Sequence, residues 1–132
     1  MAGYLQENAG GNGKRVVFEC VSVDFEIVAS IATYEFADIV PAEAVIDYIE
    51  TEVIVALTGP TGFKVGPTGG DDDLYGVAAA VTAGTRLKQS DRTAAITAPI
   101  ATATDMLVTF NGGNATAGTL RMSAHYRRYL TS

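Results

Sequence analysis

Tryptophan is absent from this chain, cysteine and histidine each occur once, and charged side chains make up only 18% of its 132 residues. A single cysteine excludes an internal disulfide. Cys20, set among apolar neighbours, reads as a small core residue of a protein made in a reducing cytosol. A single histidine limits nucleophilic catalysis to one arrangement, His125 with Ser123 or Cys20, and no G-x-S-x-G turn marks a nucleophile. No catalytic residue is assigned, no enzyme activity and no cofactor are expected. Long apolar runs are missing as well: VIVAL at 53–57 and GVAAAV at 76–81 fall far short of the roughly 20 residues that span a bilayer. A membrane is therefore not expected as a partner, and the opening MAGYLQENAGGNGK has no apolar core of the signal-peptide kind. Positive charge is scarce too. Nine Lys and Arg against fifteen Asp and Glu give a net charge of −6, the wrong sign for a phosphate backbone, so nucleic acid is not expected either.

What is present is apolar and small. With 48% hydrophobic residues the chain is too apolar and too weakly charged to remain disordered, and its length allows a self-contained core. So little charge leaves a surface suited to being partly covered by copies of itself or by a partner. Residues 1–13, ending GGNG, read as a flexible N-terminal arm that orders against something else, and 14–132 as one folded domain.

Within that domain the hydrophobic period is two. Val21, Val23, Phe25, Ile27, Ala29 and Ile31 alternate with polar residues, while Val16, Phe18 and Cys20 hold the opposite parity, which predicts a bulge or break near Cys20. The stretch AEAVIDYIETEVIVALTG fits a helical stripe through Val45, Ile49, Val53 and Ala56. It also fits a strand face through Val45, Ile49, Val53, Val55 and Leu57, and its β-branched density favours the strand. Short strands are predicted at Gly62–Val65, Tyr75–Val81, Ile96–Thr102 and Met106–Asn111, with a turn at NGGN, 111–114. The last strand, TLRMSAHYRRYL, puts Leu120, Met122, Ala124, Tyr126 and Leu130 inward and Thr119, Arg121, Ser123, His125 and Arg127 outward. Seven or eight strands with no convincing helix make an all-β fold, a single-domain antiparallel β-sandwich of jelly-roll type.

Two features could carry function. The stretch GPTGFKVGPTGGDDDLYG is neither collagen-like nor a phosphate loop, since G-P-T does not repeat every third residue and Lys64 sits inside a strand. Its prolines and glycines are turn chemistry, and Asp71, Asp72 and Asp73 form a solvated loop tip that is also the chain's best, if weak, calcium candidate. Arg121, Arg127 and Arg128, with His125, Tyr126 and Tyr129, concentrate positive charge and aromatic surface on an acidic protein. Arg121, His125, Arg127, Arg128 and Tyr129 are therefore the interface candidates, weighed against a merely solvated strand.

The order GFKVG, aspartate loop, aromatic-Gly, GVAAAVTAGT, APIATATD, VTFNGGNATAGTLR and AHY resembles small tailed-phage virion proteins over about Pro41 to Tyr126. Related stretches occur both in capsid decoration, or cement, proteins and in distal domains of tail fibres. The contiguous aspartates and Tyr75 depart from that pattern's spaced Asp and bulkier aromatic. The resemblance implies a structural protein made in the host cytoplasm and carried on the capsid exterior. There it would assemble as a homotrimer and bind the major capsid protein, reinforcing the junctions of the shell. The alternative it implies is a tail-fibre or receptor-binding module recognising host surface glycans.

Overall fold

A computed structural model describes residues 14–89 and 102–131, with side chains placed for 15–88 and 102–128. The arm expected at 1–13 and nearly all of the strand expected at Ile96–Thr102 lie outside the described residues. The described residues form eight strands: β1 (Lys14–Ile27), β2 (Thr33–Val40), β3 (Ala44–Thr58), β4 (Gly62–Pro67), β5 (Val77–Ala78), β6 (Arg86–Gln89), β7 (Thr104–Asn111) and β8 (Ala117–Thr131). They make two four-stranded sheets, ordered β1-β8-β3-β6 and β2-β7-β4-β5, with every pairing antiparallel. The pairs β1·β8, β2·β7, β3·β6 and β4·β5 nest inside one another, as when one long hairpin is wrapped over itself into two layers. The expected all-β sandwich is thus what forms, and we read the nested order as its jelly-roll variant.

Between the sheets lies one core, built by alternation. From the first sheet come Ile49 and Val53 of β3 and Leu120, Met122 and Ala124 of β8, all fully buried. From the second come Phe63, Val65, Met106 and Val108, equally buried and opposed across β4 and β7 in the order Phe63–Phe110 and Val65–Val108. Phe25 of β1 stacks on Tyr34 of β2 at 3.5 Å between ring centroids, and Tyr34 meets Phe36 edge-on at 4.8 Å, which closes the flank where the chain passes between layers.

Bulges account for most departures from the expected alternation. In β3 the register shifts between Ile46 and Tyr48 and again between Val53 and Val55, so the inward set is Ala44, Ile46, Ile49, Val53 and Leu57, while Val55 is exposed. Val45 is buried but outside the main cluster, on the parity of Arg127 across from it. Conversely, the bulge expected near Cys20 does not exist. The register of β1 on β8 runs unbroken from Lys14↔Thr131 to Ile27↔Gly118, which leaves Val16 and Phe18 on the outer face, in solvent. Strand β1 also ends at Ile27, with Ile31 making only an isolated bridge to Ala115.

Strands β2 and β6 escape the period-two reading. In β2 the register breaks between Phe36 and Val40, where Asp38 sits at φ 52, so Phe36, Ile39 and Val40 are buried out of alternation. Of strand β6 four residues are described, and Leu87 is the one among them that leans on the core. The strand expected over Tyr75–Val81 shrinks to Val77–Ala78.

One buried polar atom in this core has no partner. Thr51 is 1% exposed between Met122 and Leu87 of the flanking strands, and its Oγ1 makes no hydrogen bond. An unsatisfied buried hydroxyl costs about 1–3 kcal/mol. Thr51→Val, which keeps shape and removes the hydroxyl, should therefore raise unfolding free energy by about 1 kcal/mol in urea denaturation.

Candidate functional site

The outer face of the first sheet gathers Arg121, His125 and Arg127 of the interface candidates, because alternation on β8 that sends Leu120, Met122 and Ala124 inward sends their neighbours outward. Strand order places cross-strand partners in rows. One row reads Asp24, Arg121, Glu52, Arg86 across β1, β8, β3 and β6, with charge alternating at each step. Arg121 donates from Nε and an Nη to the two Asp24 oxygens at 2.7 and 3.1 Å, while Arg86 lies 3.4 Å from Glu50 and 3.5 Å from Glu52. The Arg121 hydrogen bonds hold the Asp24 carboxyl below its ordinary value, and Asp24 in turn raises the guanidinium. Because the folded value is depressed, this ion pair supports the fold above about pH 3.8, the ordinary carboxyl value, and its support is lost as pH falls further.

The next rows are less charged. Ser22 and Ser123 share a hydrogen bond of 2.7 Å. Cys20 Sγ lies 3.4 Å from His125 Nε2; the imidazole stacks on Tyr48 with ring centroids 4.1 Å apart, and Lys88 Nζ sits 4.4 Å from the Tyr48 centroid. Cys20 is exposed, not a core residue as its neighbours suggested, because it shares the outward parity of Phe18 and Ser22. The fold thus brings together the one Cys-His pair the sequence allows. Among the described residues the ring contact of His125 is with Tyr48, and no carboxylate bonds to it.

Arg127 and Arg128 point to opposite faces. Arg127 Nε stands 2.8 Å from Asp47 Oδ1, an ion-pair distance, yet this buried N–H is not aimed well enough to count as a hydrogen bond. The bulge at Ile46–Tyr48 is what turns Asp47 toward it. Arg128 lies on the inner parity, where its Nε and an Nη donate to Glu19 at 2.7 and 3.0 Å, and this pairing raises the guanidinium. Tyr129 has its backbone in β8, but its side chain lies outside those described. Each of the three arginines is therefore matched to a carboxylate. The sequence pattern alone singles out none of these carboxylates; the β1–β8 register is the signal that pairs Asp24 and Glu19 with their arginines, and the β3–β8 register the one that brings Glu52 and Asp47 to theirs.

The acidic loop is a separate feature. Asp71, Asp72 and Asp73 are exposed with ligand-capable oxygens all within 4.8 Å of one another, the one such group of acidic, His or Cys side chains among the described residues. The loop is seated on β4: Tyr75 N–H donates to the Val65 carbonyl, Val65 N–H to that of Gly76, and a Cβ at Gly66 would strike the Asp71 carbonyl and lie 2.8 Å from Asp72 Cα. Lys64 Nζ takes Asp72 at 2.9 Å. Asp71 and Asp73 interact side chain to side chain, which lowers the Asp71 carboxyl and raises that of Asp73, the latter further by charge repulsion. Hard cations suit such oxygens, and Lys64 supplies one positive partner already.

A carboxyl raised in the fold favours folding below its unfolded value and loses that benefit as pH rises through its folded value. Asp73→Asn should accordingly raise the melting temperature slightly at pH 7 and lose that gain below pH 4. A pair of thermal scans at the two pH values checks this.

The fold and this outer face define an all-β sandwich without a recognised sequence family: no protein-family model matches the chain, and no curated protein matches it in sequence. In structure it is similar to a chain of the acidic stable capsid structure of Helicobacter pylori bacteriophage KHP30, with a TM-score of 0.58 at 10% identity over 90% of this chain and 99% of that one. It is likewise similar to a chain of the cyanophage Pam1 capsid asymmetric unit, with a TM-score of 0.56 at 18% identity over 96% and 94%. These likenesses are of fold.

Proposed function

We propose that this chain is a non-enzymatic structural protein of a tailed-phage virion, a decoration or cement protein that binds the outside of the capsid shell. The observation that carries the reading is the extent of the fold match. Nearly the whole of this chain superposes on nearly the whole of chains from two phage capsid structures, so in both cases the neighbour is a small chain of similar length. The sequence resemblance to small virion proteins points the same way through a different set of observations, the GFKVG-aspartate stretch and NGGNATAG leading to His125-Tyr126.

In this reading three copies form a homotrimer that sits over a junction of major capsid subunits. Each copy holds neighbouring shell proteins, and three copies acting as one rigid body convert weak contacts into tight attachment. Binding to the assembled shell alone then stabilises it by mass action. The outer-face residues Arg121, His125 and Arg127, with Tyr129 beyond them and Arg128 on the reverse side, are the candidates for those contacts, and residues 1–13 are a candidate second attachment.

Shells carrying the protein should unfold or burst at a higher temperature than shells stripped of it, as measured by scanning calorimetry. Re-addition of the purified chain should restore the difference. An unchanged shell temperature would remove the cement role, and a handful of copies per virion in place of hundreds would move the chain to the tail.

A further inference from the structure

A two-sheet sandwich has four open edges, here β1 and β6 on one sheet and β2 and β5 on the other. An open edge presents unpaired N–H and C=O groups to any passing strand, and folded proteins suppress this by shortening, bulging or charging their edges. Three of the four edges are suppressed in this way. Strand β6 carries the charges of Arg86 and Lys88, β5 has two residues, and β2 is broken between Phe36 and Val40 with Asp38 in the left-handed region. Strand β1 is the exception: fourteen residues, no proline, and a register on β8 without a single shift. Among the described residues nothing pairs with its other edge. Val16 and Phe18, 47% and 72% exposed, stand on its outer face.

The charges of β1 select what fits there. KRVVFECVSVDFEI opens with Lys14 and Arg15 and closes with Asp24 and Glu26. A second copy laid antiparallel brings the basic start against the acidic end at both ends at once, whereas a parallel copy sets like against like. If the two sheets are to continue one another, outward residues must oppose outward residues, so opposed positions share parity. With Cys20 opposite Cys20 of the second copy, Lys14 falls opposite Glu26 twice. Centring on Val21 pairs Arg15 with Ile27 and matches no charge; centring on Glu19 sets Lys14 opposite Asp24, which Arg121 already holds, and opposes two carboxylates at its middle.

We propose that β1 is a self-association edge, at which two copies join antiparallel about a twofold axis at Cys20 and fuse their four-stranded sheets into one of eight strands. This goes beyond the shell-binding reading and is decided on the isolated protein. It occupies one edge only, so a threefold contact elsewhere remains open and the β1 edge would then link one trimer to the next.

Opposed Cα atoms in antiparallel strands lie about 4.5–5.5 Å apart, within the roughly 4.4–6.8 Å that a disulfide spans. Mild copper–phenanthroline oxidation of the full chain should therefore yield a covalent dimer on a non-reducing gel. Cys20→Ser should abolish that band while sedimentation still shows self-association. Glu26→Lys, at an exposed position, should weaken association by about tenfold or more and reduce the cross-link, and adding Lys14→Glu to the same chain should restore both. A chain that sediments as a monomer at all concentrations, or one whose cross-link is unmoved by Glu26→Lys, overturns the proposal.

Discussion

Strand β8 is hydrogen-bonded along both edges for most of its length, to β1 from Ile27↔Gly118 to Lys14↔Thr131 and to β3 from Thr58↔Ala117 to Ala44↔Arg128. The rest of the structure depends on that double attachment. A strand held on one side can slip by two residues and keep its faces; one held on both must carry two neighbours with it. The register that buries Leu120, Met122, Ala124 and Tyr126 is the same register that sets Arg121 beside Asp24, Ser123 beside Ser22 and His125 beside Cys20. Core and outer face are therefore two readings of one alignment, and neither can be redesigned alone.

The fold class was legible because alternation is a local property. β8 was read correctly from Thr119 to Arg127, side by side, since it carries no bulge within that span on its β1 side. In β3 the expected face holds for Ile49, Val53 and Leu57 and fails for Val45 and Val55, because an extra residue at Asp47 reverses parity, a second shift follows Val53, and nothing in EAVIDYIE announces the first. β2 was missed for a related reason: Asp38 at positive φ interrupts the pattern, and a buried pair at Ile39–Val40 looks like the start of a turn at Pro41. In the candidate site the basic residues were visible and their partners were not. Glu19, Asp24 and Asp47 lie far from β8 in sequence, so only the pairing of β8 with β1 on one side and β3 on the other reveals them.

That pairing alters what the outer face can offer a partner. On this face Arg121 meets Asp24 two-to-two and Arg127 is held by Asp47, so the charge of these two guanidinium groups is matched within the fold. Contacts made there would rely on shape, on the Tyr48–His125 stack and on the apolar pair Val16 and Phe18, forces that act only at close range. Such a surface suits lasting contact with a fixed neighbour better than long-range capture of a charged ligand.

The nested order of strands also bears on how the chain reaches this state. Cys20 and His125 are 105 residues apart along the chain and Glu19 and Arg128 are 109 apart, yet each pair is side by side in the first sheet. Contacts so distant reward the chain only after a long loop has closed, which places such topologies among the slow folders, on the millisecond-to-second scale. Synthesis sharpens the delay, because β1 leaves the ribosome before the other described strands and its partner β8 after them. Until then the apolar side chains of β1 wait without a sheet, and the order in which the strands are made sets the time they must wait.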